Sequence, residues 1–144
     1  MAERRLRSAT LMATIVEDLP YPDNRVVLDA NSSNGMRFEY RYPEELHARS
    51  QRFQRRLVEV LSPKMETLIV PLGRNNINFG HVCGTCRFGD DPRTSVLDAS
   101  NRAHDLDNLY VVDASFFPSS GATNPSLTIA ANALRVGEII DQRL

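Results

Sequence analysis

No apolar run in this sequence approaches the length of about 20 residues that a membrane-spanning helix needs, so a membrane-crossing role has no support. An excess of charge of one sign is also missing. A formal net charge of -1 gives no electrostatic reason to expect nucleic acid or an anionic membrane as a partner. The basic start of "MAERRLRSATLMATIVEDLP" is followed only by the short apolar run Leu11 to Val16 and then by Glu17 and Asp18. That run is too short for the apolar part of a secretion signal, and it is not read as one. Cysteine is scarce: Cys83 and Cys86 are the whole supply. Two thiols three positions apart, with no secretion signal, fit a reducing compartment, and a cytoplasmic location is expected. There is no G-x-G-x-x-G, hence no dinucleotide-binding unit of this chain's own, and no G-x-S-x-G nucleophile elbow. Internal repeats and low-complexity segments are likewise lacking.

What is present suits one ordinary domain. At 144 residues, with 42% hydrophobic and 24% charged, the chain can bury a core without disulfides or metals. The first half reads as a β-meander followed by a helix. "ATIVEDL" is strand-like up to Pro20, "YPDN" supplies a turn, "RVVLDA" is a second strand and "NSSNG" a second turn. Met36, Phe38, Tyr40 and Tyr42 alternate with Arg37, Glu39 and Arg41. That period of two describes an antiparallel sheet with one dry face and one wet face. Pro43 opens a helix with Glu44 and Glu45 in its first turn. Leu46, Phe53, Leu57, Val60 and Leu61 recur at helical spacing until Pro63. The arginines at 49, 52, 55 and 56 are read as a solvated helix face with a Glu45–Arg49 pair rather than a phosphate-binding patch.

From Gly73 to Asn108 the sequence is rich in Gly, Asn, Asp and Arg with little periodicity, and a loop of that length is usually functional. "NLYVVDAS" reads as a short buried strand, and "NPSLTIAANALRVGEIIDQRL" as a helix with Asn124 as N-cap and Pro125 in its first position. Ala130, Ala131, Ala133 and Gly137 make one side of that helix small.

The chemistry concentrates in "FGHVCGTCRFGDD", Phe79 to Asp91. A lone C-x-x-C is a weak zinc signal, since structural zinc takes four ligands and His47 and His104 are far away in sequence. Haem attachment needs histidine directly after the second cysteine, where Arg87 stands. A redox dithiol wants a helix start after Cys86, but "RFGDDPRTS" is a turn. Two small residues packing around a tight loop account for the pair better. Gly84 and Gly89 have phosphate-loop spacing, yet Asp90 and Asp91 follow and would repel phosphate. Gly84 and Gly89 are read as letting the loop turn so that His81 is placed. His81 is a candidate base, because imidazole titrates near neutrality. His104 is read as structural.

"HVCGTCRFG", followed by "SVLD" and "NLYVVDASFFPSSGATNPSLTIAANA", resembles the carboxyl-terminal region of the glucose-methanol-choline (GMC) flavin oxidoreductases. The family pattern H-x-x-G-T-x-x-M-G is met at His81, Gly84, Thr85 and Gly89, with Phe88 where Met is common. Asp98, Asp113, Ala114, Ser115, Asn124 and Pro125 match further elements in order. "EDLPYPDNRVVLD" is similar to the family's substrate-domain entry, so the likeness extends over nearly the whole chain.

The resemblance implies an α+β chain in two parts. Residues 1–75 would be a substrate-domain part, a β-meander plus helix. Residues 76–144 would be the catalytic loop, strand and carboxyl-terminal helix that complete an FAD-binding domain. It implies His81 as the catalytic base and Asn124 as the residue orienting the substrate oxygen, with hydride passing from an alcohol carbon to flavin N5. Asp113 and Ala114 would approach the flavin's ribityl and phosphate chain. Asn124, Pro125 and Ser126 would bring a helix N-terminus to its pyrimidine carbonyl. An imidazole base and a helix N-terminus suit that chemistry, the one titrating near neutrality and the other stabilising developing negative charge. The implied cofactor is FAD, with no metal. The implied partners are an alcohol substrate and a separate amino-terminal portion carrying the dinucleotide-binding fold. A detached carboxyl-terminal part is expected to expose apolar surface. The alternatives are a non-catalytic binding or assembly fragment of the same fold and a C-x-x-C redox or zinc protein.

Overall fold

In the computed structural model, residues 9–70 and 80–144 are described. The expected division at residue 75 and the start of the long loop at Gly73 lie outside the described residues.

Strand β1 (Arg25–Leu28) pairs antiparallel with β2 (Met36–Glu39), in the register Arg25↔Glu39, Val26↔Phe38, Val27↔Arg37 and Leu28↔Met36. The reversal is local turn chemistry. The Asp29 carboxylate accepts from Asn31 N at 2.9 Å, and Gly35 takes the left-handed φ of +73°. Alternation puts Val26, Leu28, Met36 and Phe38 on one face and Arg25, Arg37 and Glu39 on the other. There, Arg25 and Arg37 each pair with Glu39 at 2.8 Å. The period-two pattern therefore holds, but the apolar face is uncovered: Leu28 is 92% and Phe38 66% exposed.

The expected strand stops early, at Glu39 rather than Tyr42. Asn24 is the cause. Its side-chain amide donates to Arg41 O at 3.0 Å and accepts from Arg41 N at 2.9 Å, taking the backbone groups that a longer ladder would have used. "ATIVEDL" is not a strand either. Its one pairing is a bridge between Asp18 and Ser120, on the other half of the chain.

Helix α1 (Glu44–Leu61) follows Pro43 as expected, and its chain continues through Ser62 and Pro63. Leu46 is its buried residue. The Glu45–Arg49 pair is present, and Arg49 also donates to Glu17 O at 2.8 Å and Tyr21 Oη at 3.2 Å. The expected pair is therefore found, but Arg49 is tied into the fold rather than lying on a purely solvated face.

The second half has a small core, Leu97, Ala103 and Phe116, with Cys86, Val111, Phe117 and Ile129 packed against it. Isolated bridges knit it: Phe88↔Leu97, Leu97↔Ala103 and Arg102↔Tyr110. The strand expected at "NLYVVDAS" does not form. Val111 N donates to Asn101 O at 3.0 Å, and Val111 O accepts from the Asn101 side chain at 2.9 Å, so both of its backbone groups are satisfied by one residue. Asp113 then accepts from Ser115 N at 2.8 Å and starts a 3-10 turn, Ala114–Phe116.

Helix α2 (Ser126–Asp141) begins one residue later than expected, with Pro125 rather than Asn124 in the cap position and no side-chain cap. Pro125 already has helical dihedrals, φ -85° and ψ -13°. Its carbonyl accepts the bond from Ile129 N at 3.0 Å. Val136 is buried, whereas Leu127, Leu134 and Gly137 face out. Among the described residues the architecture is α+β, a two-stranded antiparallel sheet and two helices. Among the described residues no helix is long and apolar enough to cross a membrane.

Candidate functional site

The loop that carries His81 is fastened to the 3-10 turn by its own backbone. Cys86 N donates to Ser115 O at 2.9 Å and Phe88 N to Phe116 O at 3.2 Å. Gly89 N reaches Leu97 O at 2.9 Å. Gly84 makes the close approach possible. Its φ is +86°, and a Cβ there would sit 3.3 Å from Phe117 O. Glycine is needed at this position both for the dihedral and for the space.

This fastening places His81 and Cys83 across a cleft of about 170 Å³ from the 117–121 segment, Thr123, Pro125 and Thr128. His81 is half-buried there. The first turn of α2 opens on the same cleft through Pro125 and Thr128. The N–H groups of Ser126, Leu127 and Thr128 precede the bond donated by Ile129 and belong to the unsatisfied donors of a helix start. No acidic side chain stands in that first turn to neutralise it. A cleft with an imidazole on one side and a helix N-terminus on another can hold a proton and favour negative charge.

A larger depression, about 340 Å³, lies beside the hairpin and is lined by Asp23, Arg25, Glu39, Tyr40 and Arg41. Its charges are spent on one another, as Arg25–Glu39 and Arg41–Asp23 pairs. It contains none of the site residues expected from the sequence, so the smaller cleft is the better candidate.

Of the sequence-derived site residues, His81 and Pro125 share the cleft. Asn124 is exposed beside Pro125, and Ser126 is exposed as the first residue of α2; neither is among the lining residues. Asp113 and Ala114 sit behind the loop, in and before the 3-10 turn. The Ser115 hydroxyl and then the Ser115 N–H hold the Asp113 carboxyl below its ordinary value. Asp113 is thus engaged in capping that turn.

The two cysteines, both free thiols, have parted company. Cys86 packs on the Leu97 core, while Cys83 lines the cleft beside His81. Burial pushes the Cys83 thiol up. A hydrogen bond with Ser120 pulls the other way, and the Asp18 charge adds to the rise. His104 meets Ser95 Oγ at 2.9 Å, as befits a structural role. Among the described residues no group of three His, Cys, Asp or Glu side chains could hold a metal ion.

Sequence reasoning missed three features of the site. Ser119, Ser120, Thr123 and Thr128 form a hydroxyl-bearing wall, within a stretch that looks merely irregular. Glu17 and Asp18 reach that wall from the other end of the chain. Asn101, fully buried in a left-handed conformation, ties Val111, which packs on the small core, to Arg135 of α2. Only the last carried a local signal, since asparagine closing an Asp98-Ala99-Ser100-Asn101 turn tolerates positive φ.

Residues 64–133 match a family model described as GMC oxidoreductase. Paromamine 6'-oxidase of Streptomyces fradiae is 36% identical over 133 residues, covering 88% of this chain and 24% of that protein. 6'''-Hydroxyparomomycin C oxidase of Streptomyces lividus is 53% identical over 64 residues, 44% of this chain and 12% of that protein. The fructose dehydrogenase large subunit of Gluconobacter japonicus is 28% identical over 131 residues, 86% of this chain and 24% of that protein. The chain spans about a quarter or less of the length of these curated relatives.

Proposed function

The chain belongs to the GMC oxidoreductase family, as part of its carboxyl-terminal region, and from that premise we propose that it is the catalytic-residue portion of an FAD-dependent alcohol oxidoreductase. The observation that carries this reading is that His81 and the first turn of α2 open on one cleft.

The residues present fit a flavin. Helix-start N–H groups with no acidic neighbour suit a ring edge that accepts hydrogen bonds and gains negative charge. Pro125, Ser126 and Asn124 would hold that edge, and Asp113 and Ala114 the ribityl and phosphate side. When bound, the flavin supplies the hydride acceptor. His81 takes the proton of the alcohol hydroxyl, a task for which imidazole is matched near neutral pH. Asn124, exposed at the entrance to α2, orients the substrate oxygen. The hydroxyl-bearing wall of Ser119, Ser120, Thr123 and Thr128 suits a polar alcohol.

This activity requires an amino-terminal portion with the dinucleotide-binding fold. The exposed apolar faces of the hairpin and of α2 are surfaces that such a portion would cover. In this reading residues 1–75 belong to the substrate side and residues 76–144 return to the flavin side.

The test is reconstitution with a flavin-loaded amino-terminal portion. In the assembled enzyme His81→Ala lowers flavin reduction by an alcohol by about two to four orders of magnitude, the usual worth of a general base. Normal reduction by that variant would show that His81 is not the base.

A further inference from the structure

The cleft wall opposite His81 is tied down by a segment from the far end of the chain. Ser119 Oγ donates to Glu17 Oε1 at 2.6 Å across a separation of 102 residues. Next to it, Asp18 N donates to Ser120 O at 3.1 Å, and Ser120 N returns to Asp18 O at 2.9 Å. The tying segment is itself held from behind. Arg49 of α1 donates to Glu17 O at 2.8 Å, and Tyr40, just beyond β2, donates to the Asp18 carboxylate. Arg87 reaches Pro20 O at 3.4 Å. Ser119 and Ser120 line the cleft together with His81 and Cys83.

We propose that Glu17 is a positioning residue: its carboxylate fixes the Ser119–Ser120 wall against His81 and Cys83 and so sets the shape of the cleft. The wall belongs to an irregular stretch with no helix or strand of its own before α2. Irregular segments with few buried contacts open locally at low cost unless something outside them holds them. Here the holding groups come from the first half of the chain, so the shape of the cleft depends on α1 and the hairpin as well as on the loop. The carboxylate is used as an acceptor, and its charge is not the essential feature. The consequence for alcohol oxidation rests on the reading of His81 given above, but the position of the wall does not.

The two cysteines make the proposal measurable without cofactor or activity. Cys83 lines the cleft with its thiol hydrogen-bonded to Ser120 of the wall, and Cys86 packs on the small core, so a local release of the wall exposes only the first, while global unfolding exposes both. The full chain is treated with iodoacetamide and the two sites are resolved by mass spectrometry. Glu17→Ala is expected to speed alkylation of Cys83 by about three- to ten-fold, the worth of one hydrogen bond to a charged group at a partly exposed site. Cys86 should be unaffected. Glu17→Gln keeps an acceptor oxygen for Ser119 and is expected to restore protection. Unchanged Cys83 in Glu17→Ala overturns the proposal, and so does equal deprotection in the Ala and Gln variants. Acceleration at both cysteines means unfolding. Ser119→Ala then removes the same bond from its donor side and must expose Cys83 alone, or the proposal fails. Should the thiols follow this pattern while His81→Ala leaves flavin reduction intact, the wall assignment stands and the reading of His81 falls.

Discussion

Asn101 offers the sharpest test of how the second half is held together. The residue is fully buried at φ 60°. Its amide donates to Val111 O at 2.9 Å, and its carbonyl oxygen accepts from Arg135 Nη2 at 2.9 Å. Asn101→Ala removes both bonds and leaves an alanine in the left-handed region. The neutral bond is worth about 1 kcal/mol. The bond to arginine is worth about 1.5 kcal/mol, the low end for charged groups, because Arg135 is exposed and keeps Ala99 O and Asn132 Oδ1 as acceptors. The left-handed alanine adds about 1 kcal/mol. The sum is roughly 3–4 kcal/mol, a large fraction of the stability of any small domain. With a urea slope of about 2 kcal/mol/M, the unfolding midpoint should fall by about 1.5–2 M. Asn101→Asp discriminates further. It tolerates the same φ and keeps an oxygen for Arg135, but it turns a carboxylate toward Val111 O. Its carboxyl should be raised in the folded state, so its deficit should shrink as pH falls, once a protonated oxygen can donate to that carbonyl. A midpoint for Asn101→Ala within about 0.3 M of the parent chain would mean that the Asn101 bonds do not hold this region.

Three further outcomes are expected. Gly84→Ala must place a Cβ 3.3 Å from Phe117 O at φ +86°; it should cost about 1–2 kcal/mol and speed alkylation of Cys83, and a neutral midpoint in denaturation would show that the loop does not need its glycine. The Asp113 carboxyl is held below its ordinary value by Ser115, so its contribution is present above the unfolded value and is lost as pH falls through the folded one. Thermal melts of Asp113→Asn should therefore lie below the parent at neutral pH and converge with it as pH falls through the folded-state value; a gap that persists in acid would assign the effect to something other than the carboxylate. Phe38→Ser alters a side chain that is 66% exposed; it should change stability by less than about 0.5 kcal/mol while lowering self-association in light scattering, and unchanged association would mean that this face is not the adhesive one.

The elements that could be read in the sequence are those whose cause is local. Alternation through Met36 and Phe38, the proline before α1 and the spacing of its leucines each act within a few residues, and each produced its element. The strand from Met36 ended early, and the one at "NLYVVDAS" did not form, for a reason that periodicity cannot carry. At Asn24 and at Asn101 a side-chain amide takes the backbone N–H or C=O that a ladder would have paired. A hydrogen-bonding side chain competes with the strand partner, and whether it wins depends on a neighbour 10 or 17 positions away. The start of α2 differs from the expectation by one residue only: Pro125, just before Ser126, already has the helical dihedrals of a first helical position, and what is missing is a side-chain cap.

The same distinction divides the candidate site. That His81 and Pro125 belong together was legible: an imidazole in a glycine-bearing loop and a proline at a helix start are short patterns, and the two line one cleft. Its enclosure was not. The cysteine pair shows why, since Cys83 and Cys86 are alike in sequence yet one faces the cleft and the other the core. Between them Gly84 turns left-handed against Phe117 O, and that single dihedral sends two similar residues to different surroundings. The opposite wall depends on Glu17, 102 residues from its partner Ser119. A loop of fixed composition could stand open or closed according to whether that distant acceptor is in place. For this chain, the candidate residues can be named from a motif, but the shape of the cleft that His81 shares with the first turn of α2 follows from contacts that tie the first half to the second.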